Sequence, residues 1–290
     1  MDMKEQGRKA EALRKLHQGP RTLVLPNVWD VASARIVEEL GYPALATSSA
    51  GVAFALGYPD GQRITRDEML GVVSRIARAV RIPVTADMEA AYGTTIDDMA
   101  GTATALVAAG AVGLNLEDVT SDTEESQVEL GLQVKKIRAI KDTSAKLGVP
   151  LVINARTDVY LMPIGPEATR FERTVERLRA YRDGGADCVF VPGVVDGNII
   201  EKLVKALNAP LNILASAGCP AIKDLEKIGV ARVSVGSGMM RATLGLVRRI
   251  AKELKETGTY SALFEGTVPF SELNKLMAQS GSGSKRTARP

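Results

Sequence analysis

Eight times along this chain a patterned segment ends near a glycine and gives way to a short apolar run that closes on polar or small residues. The runs are TLVLPN (22–27), ALATSS (44–49), VTADME (84–89), GLNLED (113–118), LVINAR (151–156), CVFVPG (188–193), LNILAS (211–216) and RVSVGS (232–237). Each is apolar on both faces and lacks strict alternation. Parallel strands have this character when helices cover them outside and side chains fill the space within. The segments between the runs carry helical period: Ile199, Ile200, Leu203, Val204 and Leu207 fall on one stripe, as do Met99, Ala103, Leu106 and Val107. Thr65 followed by Glu68 reads as a capping box that opens a helix running to residue 80. Gly41, Gly110, Gly148, Gly185 and Gly229 stand where a helix must turn into the next run, a position that favours a left-handed residue.

Eight strand-then-helix units predict an α/β fold of the (β/α)8 TIM barrel type. An open nucleotide-binding sheet would need a Gly-x-Gly-x-x-Gly after one of its strands, and none of the runs supplies it. No linker or charge block divides the chain, so one domain is expected over residues 1–279. It includes an N-terminal helix, a long helix over 239–257 and a last amphipathic helix over 270–279. The tail SGSGSKRTARP (280–290) is expected to be disordered.

With 37 basic against 34 acidic side chains and the basic ones scattered along helices, nothing points to nucleic acid. No run approaches the ~18 apolar residues of a membrane span, and the N-terminus has no apolar core of a leader. Cys188 and Cys219 lie far apart without metal-ligand spacing, which suits a reduced, cytoplasmic compartment. Cys188 is expected in the core and Cys219 at most near a rim. His17, the only histidine, is expected at the surface of the N-terminal helix, so a general acid or base must come from another residue type or from water.

A barrel places its chemistry at the carboxyl ends of its strands. There the chain puts Asp87 and Glu89 after the third run, Glu117 and Asp118 at the end of the fourth, and Asp60 in GYPDGQ, the loop after the second. Carboxylates from neighbouring strand ends would converge on a small volume, and their repulsion must be offset by a cation, a proton or an arginine. Oxygen ligands alone suit Mg2+, or Mn2+, better than Zn2+. Against this, any one such acid can serve merely as a helix cap or ion-pair partner. Asp30, and Asp97 or Asp98, are read as caps. ATSSAGVA offers Thr47, Ser48, Ser49 and the amides near Gly51 as donors to a carboxylate. INARTD brings Asn154 and Arg156; the arginine can grip a carboxylate bidentately or pair with Asp158 or Glu117.

GYPDG, the Asp-x-Glu-x-x-Tyr-Gly of residues 87–93, NLED and INARTD, in this order and at these strand ends, resemble the isocitrate lyase and phosphoenolpyruvate mutase superfamily. The likeness runs from LVLPNVWDVASARIVEELGYPALATSSAGVA to GVARVSVGSGMMRA. It implies a barrel whose last helix is swapped between subunits of a homodimer or homotetramer. It implies Mg2+ held directly by Asp87 and through water by Asp60, Glu89 and Glu117. Arg156 and the Thr47 to Gly51 segment, with Asn154, would bind the substrate carboxylate; Asp60, Glu117 and Arg156 are the candidate catalytic groups. The reaction implied makes or breaks a bond to the carbon beside a 2-oxo or 2-hydroxy acid, through an enolate.

Several departures narrow the reading. Isocitrate and methylisocitrate lyases carry Lys-Lys/Arg-Cys-Gly-His in the loop after the fourth strand, and phosphonate mutases carry Lys and Asn there. This chain reads EDVTSDTEESQVELG. The acids Asp122, Glu124, Glu125 and Glu129 are read as a solvated lid surface, with Glu124 or Glu125 as a speculative acid or base. Glu89 stands for the more usual Asp, and Ala91 for a Gly. The favoured expectation is a Mg2+-dependent carbon–carbon lyase resembling methylisocitrate lyase or oxaloacetate decarboxylase. A phosphonate P–C mutase or hydrolase, and a non-catalytic 2-oxo acid binding protein, are the alternatives.

Overall fold

The computed structural model describes residues 2–120 and 127–279. Helix α1 (Met3–Leu16) precedes a first rung in two pieces, β1 (Leu23–Leu25) and β2 (Asn27–Val28). Then follow α2 (Val31–Glu39), β3 (Leu45–Thr47), α3 (Ser49–Ala55), α4 (Arg66–Ala79), β4 (Val84–Asp87), α5 (Ile96–Ala109) and β5 (Gly113–Leu116). The chain continues with α6 (Leu130–Lys146), β6 (Val152–Arg156), α7 (Arg170–Asp183), β7 (Cys188–Val191), α8 (Gly197–Leu207), β8 (Leu211–Leu214), α9 (Ile222–Ile228) and β9 (Arg232–Ser234). Helices α10 (Gly238–Glu256) and α11 (Phe270–Ala278) end the described chain.

The nine strands form one parallel sheet in the order β1-β9-β8-β7-β6-β5-β4-β3-β2. The split of the first run explains how eight rungs become nine strands. Pro26 has no N–H to give to a ladder, so Leu23–Leu25 pairs with β9 while Asn27–Val28 pairs with β3. One stretch of chain thus begins the sheet and closes it, and the architecture is the expected (β/α)8 barrel. Asn27 locks the seam: its Nδ2 donates to the Thr47 carbonyl (2.8 Å), and its Oδ1 accepts from the backbone of Val235 (2.8 Å) and Gly236 (2.9 Å).

Local signals set the helix ends. Thr65 and Glu68 form a reciprocal capping box on α4, Thr95 and Asp98 do so on α5, and Asp30 and Ser33 on α2. Gly41, Gly110, Gly148, Gly185 and Gly229 all have positive φ, as a turn from helix into strand requires. The stripe on α8 buries Ile200, Leu203 and Leu207 against the barrel.

Three expectations need correction. The segment after β3 is a short helix, α3, because Ser48 Oγ accepts the Gly51 N–H (3.1 Å) and starts it; the amides near Gly51 are engaged there. His17 is buried, with Nδ1 against the Leu13 carbonyl (2.8 Å), because α1 plugs the amino end of the barrel. Asp118 turns away from the carboxylates of the barrel mouth, for the reason given below. Cys188 is in the core as expected, and both cysteines are free. Helix α10 buries only Met240, and α11 packs back on α2 through Arg35 Nη1 and the Leu276 carbonyl (2.6 Å). No helix among the described residues is long and apolar enough to cross a membrane.

Candidate active site

A cavity of about 150 Å3 lies at the carboxyl end of the barrel, walled by Ser49, Asp60, Gln62, Glu89, Glu117 and Arg156 with Asp158 and the apolar Val119, Leu161 and Met162. Four carboxylates face it and a fifth, Asp87, lies directly behind Ser49. One arginine answers them.

Asp87 ends β4 and is almost fully buried. Its Oδ2 accepts from Ser49 N (3.0 Å) and Ser49 Oγ (2.8 Å), its Oδ1 accepts from Asn115 Nδ2 (3.2 Å), and its own N–H goes to Thr47 Oγ1 (2.9 Å). All the donors on this carboxylate are neutral. Thr47, Ser48 and Gly51 therefore support the wall from behind, and Ser49 is the member of that segment that reaches the cavity. Asn154 is fully buried within the barrel, where its Nδ2 donates to Asn115 Oδ1 (2.8 Å).

The turn after β4 is held in an unusual backbone shape. Glu89, Ala91 and Tyr92 have φ of +50°, +71° and +56°, and Gln62, across from them, has +56°. Such non-glycine conformations cost of the order of 1–3 kcal/mol each and persist where surroundings over-determine them. The surroundings do so here. Gln62 N donates to Glu89 Oε2, Gln62 Oε1 accepts from Tyr92 N (2.9 Å), Glu117 N donates to the Glu89 carbonyl (2.8 Å) and Thr102 Oγ1 donates to the Ala91 carbonyl (2.9 Å). Gln62 was not singled out from the sequence. Its neighbours Asp60 and Gly61 drew attention to the loop, but nothing in the residue type marks a two-sided clamp.

Burial, with Asp87 and Asp60 nearby, pushes the Glu89 carboxyl up to about 7, although the Gln62 N–H and the Tyr92 hydroxyl oppose this. Burial and Glu89 raise the Tyr92 phenol far above its ordinary value, so it holds its proton and donates it to Glu89 Oε1 (3.2 Å). Arg156, from the end of β6, lies between Glu117 and Asp158: Nη1 meets Glu117 Oε1, while Nε and Nη2 meet the two Asp158 oxygens at 2.6 and 3.1 Å. Burial works against the guanidinium charge, but Glu117 and Asp158 outweigh it and raise Arg156. Burial also pushes Glu117 up, against the pull of Arg156.

Asp118 follows Glu117 directly and points the other way, as successive residues of an extended chain do. It is fully buried and accepts from Thr157 Oγ1 (2.7 Å), Asp158 N (3.1 Å), Arg177 Nε (2.7 Å) and Tyr181 OH (2.7 Å). It anchors the Arg156–Asp158 segment to α7 and takes no part in the cavity wall. Glu129 caps α6 through the N–H groups of Gly131 and Leu132 (both 2.8 Å). Asp122, Glu124 and Glu125 lie outside the described residues. Cys219 is not in the cavity wall.

A hard divalent cation fits this donor set. The groups are oxygens, the negative charge exceeds the positive, and Glu89 is raised first by burial and then by Asp87 and Asp60, both of which a cation would offset. Among the described residues no three of His, Cys, Asp and Glu form a ready-made metal cage. Mg2+ is typically held by one or two carboxylates and keeps several waters, so an open set of this kind suits it.

The sequence profile of the phosphoenolpyruvate phosphomutase family matches residues 13–255. An oxaloacetate decarboxylase of Pseudomonas putida is 30% identical over 250 residues, spanning 85% of this chain and 80% of its own. A 2-methylisocitrate lyase of Aeropyrum pernix is 27% identical over 259 residues, spanning 87% and 82%. Among solved structures, a candidate lyase/mutase from Burkholderia cenocepacia superposes with a TM-score of 0.88 at 36% identity, covering 95% of this chain and 97% of its own. An oxaloacetate acetylhydrolase in complex with its product oxalate gives a TM-score of 0.81 at 26% identity, with 93% of each chain covered. The match over most of the chain, on a barrel with these acids at its mouth, means that the chain belongs to the phosphoenolpyruvate phosphomutase family of the isocitrate lyase superfamily.

Proposed function

We propose that this protein is a Mg2+-dependent carbon–carbon lyase that acts on a small 2-oxo or 2-hydroxy carboxylate through an enolate, which in a decarboxylation is that of a pyruvate-like acid. The observation that carries the reading is the small cavity in which a surplus of carboxylates faces one arginine with unused donors. A guanidinium has five N–H groups. Arg156 commits three of them to Glu117 and Asp158, and one remains on each Nη atom. Those two are available, among the described residues, to the oxygens of a substrate carboxylate. Glu117 and Asp158 thus set the plane of the guanidinium before the substrate arrives.

Asp87, with Glu89, Glu117 and Asp60 through water, would hold the cation. When bound, it supplies positive charge where negative charge gathers on the substrate carbonyl oxygen as the C–C bond breaks. Ser49 and Asn115 keep Asp87 oriented. The Gln62 clamp keeps Glu89 facing the site. Val119, Leu161 and Met162 supply the apolar part of the cavity wall. Decarboxylation of a 2-oxo diacid whose second carboxylate stands on the carbon next to the ketone needs no base to begin: carbon dioxide leaves, its bonding electrons pass to the ketone to give the enolate, and the enolate takes a proton from water. A retro-aldol cleavage would also need a base for the substrate hydroxyl, and Glu89 and Glu117 are already engaged by the partners described. Decarboxylation is therefore the reaction the described residues support with the fewest additions, in keeping with the oxaloacetate decarboxylase among the relatives.

Helix α10 exposes Leu244, Val247 and Leu254 along one side, and Leu263, Phe264 and Phe270 after it are exposed as well, which supports a homo-oligomer built on this region. The functional test is release of pyruvate or glyoxylate from a panel of 2-oxo and 2-hydroxy diacids. Release should require Mg2+, vanish with a chelator, and be lost in Asp87→Ala. Turnover that ignores both the chelator and the substitution contradicts the proposal. Phosphorus NMR showing conversion of phosphonopyruvate in its place would move the assignment to P–C chemistry, which the name of the matching family keeps in view.

A further inference from the structure

Arg232, on β9, points into the barrel and is fully buried. It has no carboxylate within ion-pair distance among the described residues. Its Nη2 makes one long hydrogen bond, 3.4 Å, to Asn115 Oδ1, and its Nε and Nη1 have no partner among the described residues. An unpaired buried charge costs several kcal/mol, and an apolar side chain of similar volume would ordinarily be more stable there. Retention of an arginine therefore asks for a role beyond packing.

The hydrogen bonds around it run towards the mouth. A guanidinium only donates, so the Asn115 amide must turn its oxygen to Arg232. That oxygen also accepts from Asn154 Nδ2 (2.8 Å), and the opposite end of the amide, Nδ2, donates to Asp87 Oδ1 (3.2 Å). We propose that Arg232 is a positioning residue: from inside the barrel its guanidinium turns Asn115 towards Asp87 and supplies the countercharge that the neutral donors on Asp87 lack. Burial lowers Arg232 to about 10, with Cys188 and Asp87 opposing the shift, so the charge is present near neutral pH. The arrangement lets a buried carboxylate stand ready without a cation, and it weakens the site's hold on one by repulsion.

The part of the proposal that concerns the cation rests on the reading of Asp87 as its ligand; the coupling of Arg232 to Asp87 does not. Mn2+ binding followed by electron paramagnetic resonance tests the first. Loss of the charge in Arg232→Met should tighten Mn2+ binding by about tenfold, the expected consequence of removing one positive charge facing a divalent ion across the barrel. Arg232→Lys, which keeps the charge, should stay near the wild-type affinity. A purely structural arginine would give unchanged or weaker binding in Arg232→Met, and either result overturns the proposal.

Thermal unfolding without added metal tests the coupling. Asp87→Asn and Arg232→Met should each lower the midpoint, and the double variant should lose less than the two together, because both unpaired charges are then gone. Additive losses overturn it. If Arg232→Met alone does not fold, recovery of a folded protein in the double variant supports the coupling, and failure of both refutes it. Wild-type Mn2+ affinity in Asp87→Asn would overturn the functional reading while leaving the unfolding cycle intact as a test of the pair.

Discussion

At the scale of residues, the groups that set this site are polar side chains buried with uneven compensation. His17 shows the consequence for stability. Burial, then the nearby Arg232, lowers its imidazole to about 4 from the ordinary 6.5. Its folded value is depressed, so the unfolded chain binds the extra proton first. The stability contribution is complete above pH 6.5 and is lost as the pH falls through the window down to 4, by up to ~3 kcal/mol. Glu89, whose carboxyl is raised to about 7, contributes a slope of opposite sign in the same range, so the measurement is the difference between wild type and His17→Gln in urea unfolding across pH 4 to 7, which should carry the His17 slope. Ala91 makes a second residue-scale case. With φ of +71° it holds a conformation that glycine adopts without cost. Ala91→Gly should therefore stabilise the fold by up to ~1 kcal/mol, read as a higher urea midpoint. A lower midpoint would mean that the Cβ is contributing packing that outweighs the strain.

At the scale of elements, Asp118 links the end of β5, the segment after β6 and α7. Asp118→Asn removes the charge that Arg177 faces and places an NH2 group where only donors converge. A loss of about 3 kcal/mol in stability is expected from such a broken buried pair, together with reduced turnover as Arg156 loses its support. The sequence carried the elements well because local chemistry decides them: the boxes at Thr65, Thr95 and Asp30 and the left-handed glycines fix ends with no help from distant residues. It carried the candidate site in part. Asp87, Glu89, Glu117, Asp60 and Arg156 were legible as acids and a base at strand ends. The direction of Asp118, the double clamp of Gln62, the place of Asn115 between two charges and the burial of His17 depend on what lies across the barrel. Pairing register and side-chain direction over long separations are not written in any short window.

At the scale of the whole molecule, α10 and the segment behind it present apolar side chains that the other described residues do not cover; Phe270, 82% exposed, is the clearest of them. Sedimentation equilibrium should give a mass that is a multiple of 30.9 kDa. Leu244→Glu with Val247→Glu should reduce it to the monomer, and a wild-type monomer at micromolar concentration would contradict the proposed interface. The barrel meanwhile collects acids from neighbouring rungs at one mouth, which is why the cation is central to the account. Its most direct test is a crystal structure with Mg2+ and oxalate, a flat dianion of the shape an enolate has. The account predicts an ion about 2.1 Å from an oxygen of Asp87, with the two remaining N–H groups of Arg156 on the oxalate. An ion bound elsewhere, or oxalate seated with Asp87 still engaged only by Ser49 and Asn115, would contradict it.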